Sequence, residues 1–324
     1  MPQLLTAMGK LLRTFRIAVE ILVLALITGG LAGYGMKFQP VADILCKVQL
    51  VPAAMTFSLT IFISWLLVTL IFGRIYCSSL CPIGTVQDVA ARIPRLGRNA
   101  TKRAYHYSRP LNMLRYVTLG VTFVSLVCGT TLLIFLLDPF TIYERFCASI
   151  IKPSWGYLID AASAAGFRTG IWSSSQVIVS ASTAIGAIVS IITVTIIWYM
   201  AARNGRTFCN AICPVGTTLS FVSRNSIFHI EINPDKCIQC RRCEQACKAS
   251  CIDVTAHTVD ASRCVVCFDC LPGCPNDAIK YTYLRHRLQY PLLQSIDGAV
   301  TSSVTSPEKP QSVTSSTSSK IPTK

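Results

Sequence analysis

Two stretches decide the fold of this chain, CIQCRRCEQAC at residues 237–247 and CVVCFDCLPGC at residues 264–274. Each stretch places four cysteines at the spacing C-x2-C-x2-C-x3-C, and Pro275 follows the second. This spacing is typical of the thiolates that hold a [4Fe–4S] cubane, because the short x2 steps let one loop cover three corners of the cluster. The fourth thiolate of each cubane then comes from the other stretch, so two clusters interlock.

The interlocked pattern assigns eight cysteines to two clusters. We expect the first cluster to be held by Cys237, Cys240, Cys243 and Cys274, and the second by Cys264, Cys267, Cys270 and Cys247. A pair of zinc sites is the alternative, but zinc ligands usually come as separate C-x2-C pairs with a longer spacer. The surrounding residues 229–285 alternate short apolar segments with the cysteine loops, which predicts an α+β bacterial-type ferredoxin domain with two βαβ-like halves.

Two residues depart from the repeat of the two halves. Lys248 follows Cys247 where the pattern usually has proline, and we expect its positive charge to raise the potential of the nearby cluster. Cys251 stands where the second half has Ala278, and it is either a small packed residue or a spare thiol beside the cluster.

The composition indicates a membrane protein. Charged residues make up 14% of the 324 residues and the mean hydropathy is +0.50, whereas soluble domains have about 25% charged residues. Four apolar segments are long enough to cross a bilayer: Ile17–Tyr34, Ala53–Phe72, Tyr116–Leu137 and Gln176–Met200. The net charge of +15 does not point to nucleic acid, because the Lys and Arg residues lie between the apolar segments, where they orient a membrane protein.

The distribution of basic residues predicts the orientation. Three Lys or Arg precede the first span, eight lie in the Arg74–Arg115 connection and fourteen follow Met200, whereas the other two connections hold two and three. Both termini are therefore expected in the cytoplasm of a bacterium, with a multi-pass chain in the inner membrane. Cytoplasmic placement also suits cluster thiolates, which a disulfide-forming compartment would oxidise.

These patterns divide the chain into four predicted parts. They are a cytoplasmic N-terminus at residues 1–16, a membrane domain at 17–228, the ferredoxin domain at 229–285, and a tail at 286–324 that is disordered after about residue 300. Cleavage of the first apolar segment as a signal peptide, near Leu31-Ala32-Gly33, is an alternative that would leave three spans.

The membrane part contains an internal duplication. GRIYCSSLCPIGT at residues 73–85 follows the second span, and GRTFCNAICPVGT at residues 205–217 follows the fourth. A helix running through each C-x3-C would put both thiols on one face, and the proline would then stop or redirect it. Cys77, Cys81, Cys209 and Cys213 could thus meet as a third metal or redox site, act by thiol–disulfide chemistry, or simply pack at helix ends.

A duplicated C-x3-C-P motif followed by a double ferredoxin resembles the NapH/MauN family of ferredoxin-type membrane proteins, related to the membrane cores of NosR and CcoG. The resemblance covers about residues 15–285. It implies the membrane component of a quinol dehydrogenase, which takes electrons from the quinone pool and passes them to a ferredoxin-like or cytochrome partner. A CcoG-like role in the assembly or maturation of a metalloenzyme is the alternative.

Four further observations concern the predicted spans and outer loops. All four histidines lie outside the spans and no C-x-x-C-H sequence occurs, so we expect no haem. Glu20 lies inside the first span one turn after Arg16, and is either an ion-pair partner or a proton acceptor for quinol oxidation. Cys46 and Cys147 occupy matching outer loops, as a disulfide or as two free thiols. Asp138, which precedes Pro139, is expected to cap a helix.

Overall fold

The computed structural model describes residues 2–32, 39–49, 51, 59–95, 104–157 and 181–283. The predicted tail at 286–324 lies outside these residues, as do the beginnings of the second and fourth predicted spans. The described helices are α1 Pro2–Ala32, α2 Gln39–Lys47, α3 Leu59–Phe72, α4 Ile75–Ser79, α5 Pro82–Arg92, α6 Asn112–Val127, α7 Leu132–Leu137, α8 Pro139–Phe146, α9 Ala181–Asn204, α10 Thr207–Ala211, α11 Pro214–Ser223 and α12 Arg242–Ala246. The described strands are β1 His229–Ile232, β2 Ile252–Asp253, β3 Thr258–Val259 and β4 Ile279–Thr282.

Two described helical segments, Met8–Ala32 and Ala184–Asn204, are long and apolar enough to cross a membrane. The segments Thr60–Phe72 and Asn112–Val127 are apolar but shorter. Length and composition of this kind are weak support for membrane association, so the four-span arrangement stays a prediction.

The third predicted span is not the continuous helix that we expected. It ends at Val127, and a turn with Gly129 at a φ of +76° leads into α7. The hydroxyls of Ser125 and Thr130 each donate to the other residue's carbonyl oxygen, at 2.7 and 2.9 Å. Glycine reaches this left-handed conformation without strain, and the two hydroxyls satisfy carbonyls that the broken helix leaves free.

The two GR-x-[YF]-C-x3-C-P motifs adopt the same local conformation. Gly73 and Gly205 end the preceding helices at φ values of +78° and +69°. A five-residue helix follows each glycine, and a second helix begins at Pro82 or Pro214. This local likeness supports the duplication read from the sequence, although equivalence of the wider halves stays a prediction.

The ferredoxin region contains two small antiparallel sheets. β1 pairs with β4, from His229 opposite Thr282 to Ile232 opposite Ile279, and β2 pairs with β3. Each half therefore runs strand, short helix, strand, since a 3-10 helix at Leu271–Gly273 takes the place of α12 in the second half. Because β1 pairs with β4, the end of the second half lies beside the cysteine loop of the first half.

Candidate iron–sulfur centres

One cavity of the ferredoxin region is lined by the four cysteines predicted for the first cluster. Its thiols come from Cys237, Cys240, Cys243 and Cys274. Apolar side chains, among them Ile232 and Ile279, form much of the remaining wall of this cavity. The backbone amide of Ala278 donates to the sulfur of Cys274 at 3.2 Å. N–H groups directed at sulfur are a regular feature of cluster sites, where they help to set the potential.

A second cavity is lined by the cysteines predicted for the second cluster, Cys247, Cys264, Cys267 and Cys270. Cys251 lines it too, with its sulfur 3.5 Å from that of Cys247. Cys251 is therefore both buried and beside the predicted ligands, so the two interpretations of this residue are compatible.

The backbone of the two cysteine loops is bent in the same unusual way. Gln239 and Arg241 have φ values of 53° and 59°, and the matching Val266 and Phe268 have 52° and 60°. These left-handed conformations are costly for residues other than glycine, above all for β-branched valine. Strain repeated at equivalent positions fits loops that wrap a bound group with their thiols inward.

Each cavity offers the four-thiolate donor set of a cubane. Zinc draws its sulfur ligands to about 2.3 Å from one centre, whereas a cubane spreads four thiolates around a larger body. The residues present therefore fit two [4Fe–4S] clusters, and ligation itself stays a prediction.

The structure also brings together the four cysteines of the duplicated motifs, Cys77, Cys81, Cys209 and Cys213. Each is at most 3% exposed, and all belong to one buried cluster of side chains. Burial raises the pKa of the Cys81 and Cys213 thiols, and the proximity of Cys209 raises both further. The expectation that the four would meet is thus supported by their placement.

The expected helix through C-x3-C is wrong. Cys77 lies in α4, whereas Cys81 has an extended backbone and is the N-cap of α5, and Cys213 caps α11 in the same way. Proline disfavours a helical conformation in the residue before it, but its fixed φ suits the first position of a new helix. Each proline therefore starts a helix and turns its cysteine toward the other pair.

Two buried arginines join the motifs reciprocally. Arg74 donates to the carbonyl oxygen of Cys209 at 3.2 Å, and Arg206 donates to the carbonyl oxygen of Cys77. A Cβ added at Gly84 would collide with the carbonyl of Cys77, and one added at Gly216 would collide with that of Cys209. The glycines of both motifs are explained by this close approach of backbone to backbone.

An ion network that the sequence did not predict surrounds Asp88. This carboxylate pairs with Arg206 at 2.8 Å, Lys248 at 2.9 Å and Arg16 at 3.2 Å. Burial raises the pKa of Asp88, but the three cations outweigh it and hold that pKa well below its usual range. The sequence does contain one signal of this network, because Asp88 is the only acidic residue between Arg74 and Arg115, a segment with eight basic residues.

The network bears on two expectations, those for Glu20 and for Lys248. Glu20 does pair with Arg16, at 3.0 Å, so the predicted ion pair is confirmed. The pair is buried rather than interfacial, however, with both side chains at most 5% exposed. Lys248 also pairs with Asp269 at 2.7 Å. Two carboxylates thus match its charge, so the expected increase in cluster potential is not supported.

Two outer-loop expectations can be compared with the structure. Asp138 caps α8, because its side chain accepts hydrogen bonds from the amide and hydroxyl of Thr141 at 2.8 and 2.7 Å. Cys46 and Cys147 are free thiols in the same buried region. Burial raises the pKa of Cys147 to about 11, and the nearby Cys46 contributes to this increase. Free thiols, rather than a disulfide, are what the structure contains.

A larger cavity adjoins these centres. It has a volume of about 480 Å³ and lies between residues 104–111, before α6, and Arg203 and Asn204 at the end of α9. Its wall includes Asn210, which follows Cys209, Ser250 between Cys247 and Cys251, and Arg263 before Cys264. The cavity therefore touches three of the cysteine-bearing loops.

Family comparisons identify 4Fe-4S binding regions in this chain. One family model, described as a 4Fe-4S binding domain, matches residues 54–101 and 185–231. Another with the same description matches residues 228–249, which include the first four cysteines of the ferredoxin region. No solved structure is similar enough to this chain to be matched.

Three relatives have recognisable similarity. MJ0749, an uncharacterized protein of Methanocaldococcus jannaschii, is 37% identical over 75 residues, which are 23% of this chain and 30% of that protein. MJ0750 of the same organism, also uncharacterized, is 26% identical over 216 residues, 66% of this chain and 74% of its own length. YccM of Escherichia coli K12, whose name provisionally assigns it to electron transport, is 23% identical over 258 residues, 76% of this chain and 62% of its own length. The chain is thus an iron–sulfur protein, as its 4Fe-4S binding domains show. Its matches cover between about a third and three quarters of the length of these relatives.

Proposed function

We propose that this chain is a membrane-bound electron relay, which takes electrons from quinol and passes them through its clusters to a ferredoxin-like or cytochrome partner. The observation that carries the proposal is the pair of thiol-lined cavities, whose cysteine sets are those predicted for two interlocked clusters. Such clusters accept and release one electron at a time, so a relay needs no bond-forming side chain. Similarity to YccM, named for electron transport, supports the same function.

Exposed apolar helix faces support the membrane location. On α9, Ile185, Ile188 and Ile192 are 66%, 58% and 54% exposed, and α6 exposes Phe123 and Val127 similarly. A core helix of a soluble protein would bury such residues, so lipid is the medium that suits them. With both termini cytoplasmic, a periplasmic reporter fused at Ser154 should be active and one fused at Asn225 inactive. The reverse pattern would contradict this topology.

The large cavity is the site that we assign to the quinol headgroup. It lies where α6 begins and α9 ends, so an isoprenoid tail could continue along the apolar helices. Arg263 lines the cavity, and its buried Nη2 has no hydrogen-bond partner among the described residues. A quinol oxygen would supply that partner. Oxidation of the quinol to the quinone releases two electrons to the clusters and two protons; the role of Glu20 in accepting one stays a prediction.

Reduction of the clusters by quinol tests the relay. In anaerobic proteoliposomes, a reduced quinol analogue should bleach the cluster absorbance. Thr207→Trp, which fills the cavity from its wall, should slow this bleaching, whereas Thr255→Trp on the exposed surface should not. Reduction by dithionite should be the same in all three proteins. If quinol never bleaches the clusters, even with a partner present, the relay is wrong, and failed maturation of a client metalloenzyme on deletion would favour the assembly-factor alternative.

A further inference from the structure

We propose that Cys77, Cys81, Cys209 and Cys213 hold a third [4Fe–4S] cluster, to which each of the duplicated motifs contributes two thiolates. The 4Fe-4S binding domain model matches the chain at both motifs, but each match contains only two cysteines. A cubane with four thiolate ligands cannot be held by either match alone. The four thiols are buried in one cluster of side chains and lie near enough to affect one another's charge, so the two matches together offer one complete ligand set.

Three of the four sulfurs receive an N–H hydrogen bond. Arg74 Nη2 lies 3.8 Å from the sulfur of Cys77, and Gln87 Nε2 lies 3.3 Å from that of Cys209. The amide of Gly216 donates to the sulfur of Cys213 at 3.3 Å. A neutral thiol is a weak acceptor, whereas a metal-bound thiolate is a good one. Three directed donors around the four sulfurs therefore fit thiolate ligands.

Arg206 at this site is paired with Asp88, but two other buried arginines have no carboxylate at ion-pair distance among the described residues. Arg74 is fully buried, yet it contacts only neutral oxygens and the Cys77 sulfur: Asn210 Oδ1 at 2.8 Å, and the carbonyls of Ser262 and Cys209 at 2.9 and 3.2 Å. Arg115 is 1% exposed and contacts Ser262 at 3.5 Å. Neither forms an ion pair with a carboxylate within the described residues.

Buried guanidinium groups are strongly destabilised unless an anion balances them. A cubane with four thiolates carries a net negative charge, and in this position it would lie directly beside Arg74. Four neutral thiols could instead pack as small hydrophobic groups, and two disulfides would also be neutral. Both of those arrangements leave Arg74 without a paired carboxylate among the described residues, which favours the cluster.

Iron and sulfide analysis of the full-length protein, purified anaerobically, tests the proposal. We expect about twelve iron and twelve sulfide per chain, four of each for three cubanes. Cys81→Ser and Cys213→Ser should each lose about four iron, and the double variant should lose no more than either single one, because both residues serve one cluster. Cys128→Ser, at an exposed free cysteine, is the matched control and should keep the full content.

The reduced ferredoxin clusters provide the folding control for these variants. Their EPR signals should keep wild-type intensity in Cys81→Ser and Cys213→Ser. A second variant, Arg74→Gln, keeps all four thiols and should lower the reduction potential of the third cluster alone, since it removes a cation beside it. About eight iron in the wild-type protein, or one bound zinc with eight iron, would overturn the proposal. The iron content per chain does not depend on reduction by quinol. The relay can therefore be refuted without refuting the third cluster, and the third cluster without refuting the relay.

Discussion

Replacing Asp88 by asparagine should strongly destabilise the folded protein. The carboxylate is 3% exposed and pairs with Arg206, Lys248 and Arg16 at 2.8 to 3.2 Å. The asparagine would keep the size of the side chain but would leave three buried cations to share Glu20 and Asp269. Removing one partner of a buried ion pair costs about 3–5 kcal/mol, and burial leaves little solvent to screen this loss. We expect Asp88→Asn to reduce the free energy of unfolding by that amount.

Unfolding by denaturant in mixed micelles, followed by tryptophan fluorescence and cluster absorbance, measures this change. Asp235→Asn, at an exposed aspartate of the same chain, is the matched control and should stay within about 0.5 kcal/mol of wild type. Combining Asp88→Asn with Lys248→Met should cost less than the sum of the two single changes, because each removes the same ion pair. If Asp88→Asn behaves like the control, the network does not stabilise the fold and our electrostatic reasoning is wrong.

Three further predictions follow from the same contacts. Because the folded pKa of Asp88 is depressed, its contribution to stability should be complete above about pH 4 and lost as pH falls through the folded pKa; acid unfolding of Asp88→Asn should lack this component. Gly84→Ala should remove iron from the duplicated motifs by forcing apart Cys77 and the helix that follows, whereas Gly120→Ala, with open space at its Cβ, should leave the iron content unchanged. Cys251→Ala should keep the second ferredoxin cluster, as measured by its EPR intensity, because Cys247 supplies the fourth thiolate; loss of the signal would make Cys251 a ligand.

Local patterns in the sequence were enough to predict the thiol-lined cavities. The x2 spacing constrains the chain so tightly that only a few loop conformations can direct three thiols inward, and the second half repeats the first. The cysteine sets of the two cavities, including the exchange of Cys247 and Cys274 between the halves, could be derived from that constraint alone. The break before the second cysteine of C-x3-C-P does not follow from the spacing of the two cysteines. It follows from proline, which prefers the first position of a new helix.

The ion network could not be predicted from local patterns. Asp88 and Lys248 are 160 residues apart in sequence, and Arg206 reaches Asp88 across 118 residues. Spacing rules apply to neighbours on one helix, which is why the Arg16–Glu20 pair was found and its surroundings were not. The same limit explains why the two carboxylate partners of Lys248 were not foreseen, since they come from other segments of the chain.

The duplication is symmetric in its cysteines but not in its charges, and this difference bears on what the site can hold. Counting from Gly73 and Gly205, the position of Asp88 is occupied in the second motif by Ser220. Arg206 therefore has a carboxylate partner at 2.8 Å, while the equivalent Arg74 has only neutral oxygens and a sulfur. If position 220 faces Arg74 as Asp88 faces Arg206, an aspartate there would give Arg74 the carboxylate partner that it lacks. Its absence leaves one cation directed at the four thiols, so Ser220→Asp should weaken retention of the third cluster while Ser223→Asp, one turn away, provides the control for a new buried charge.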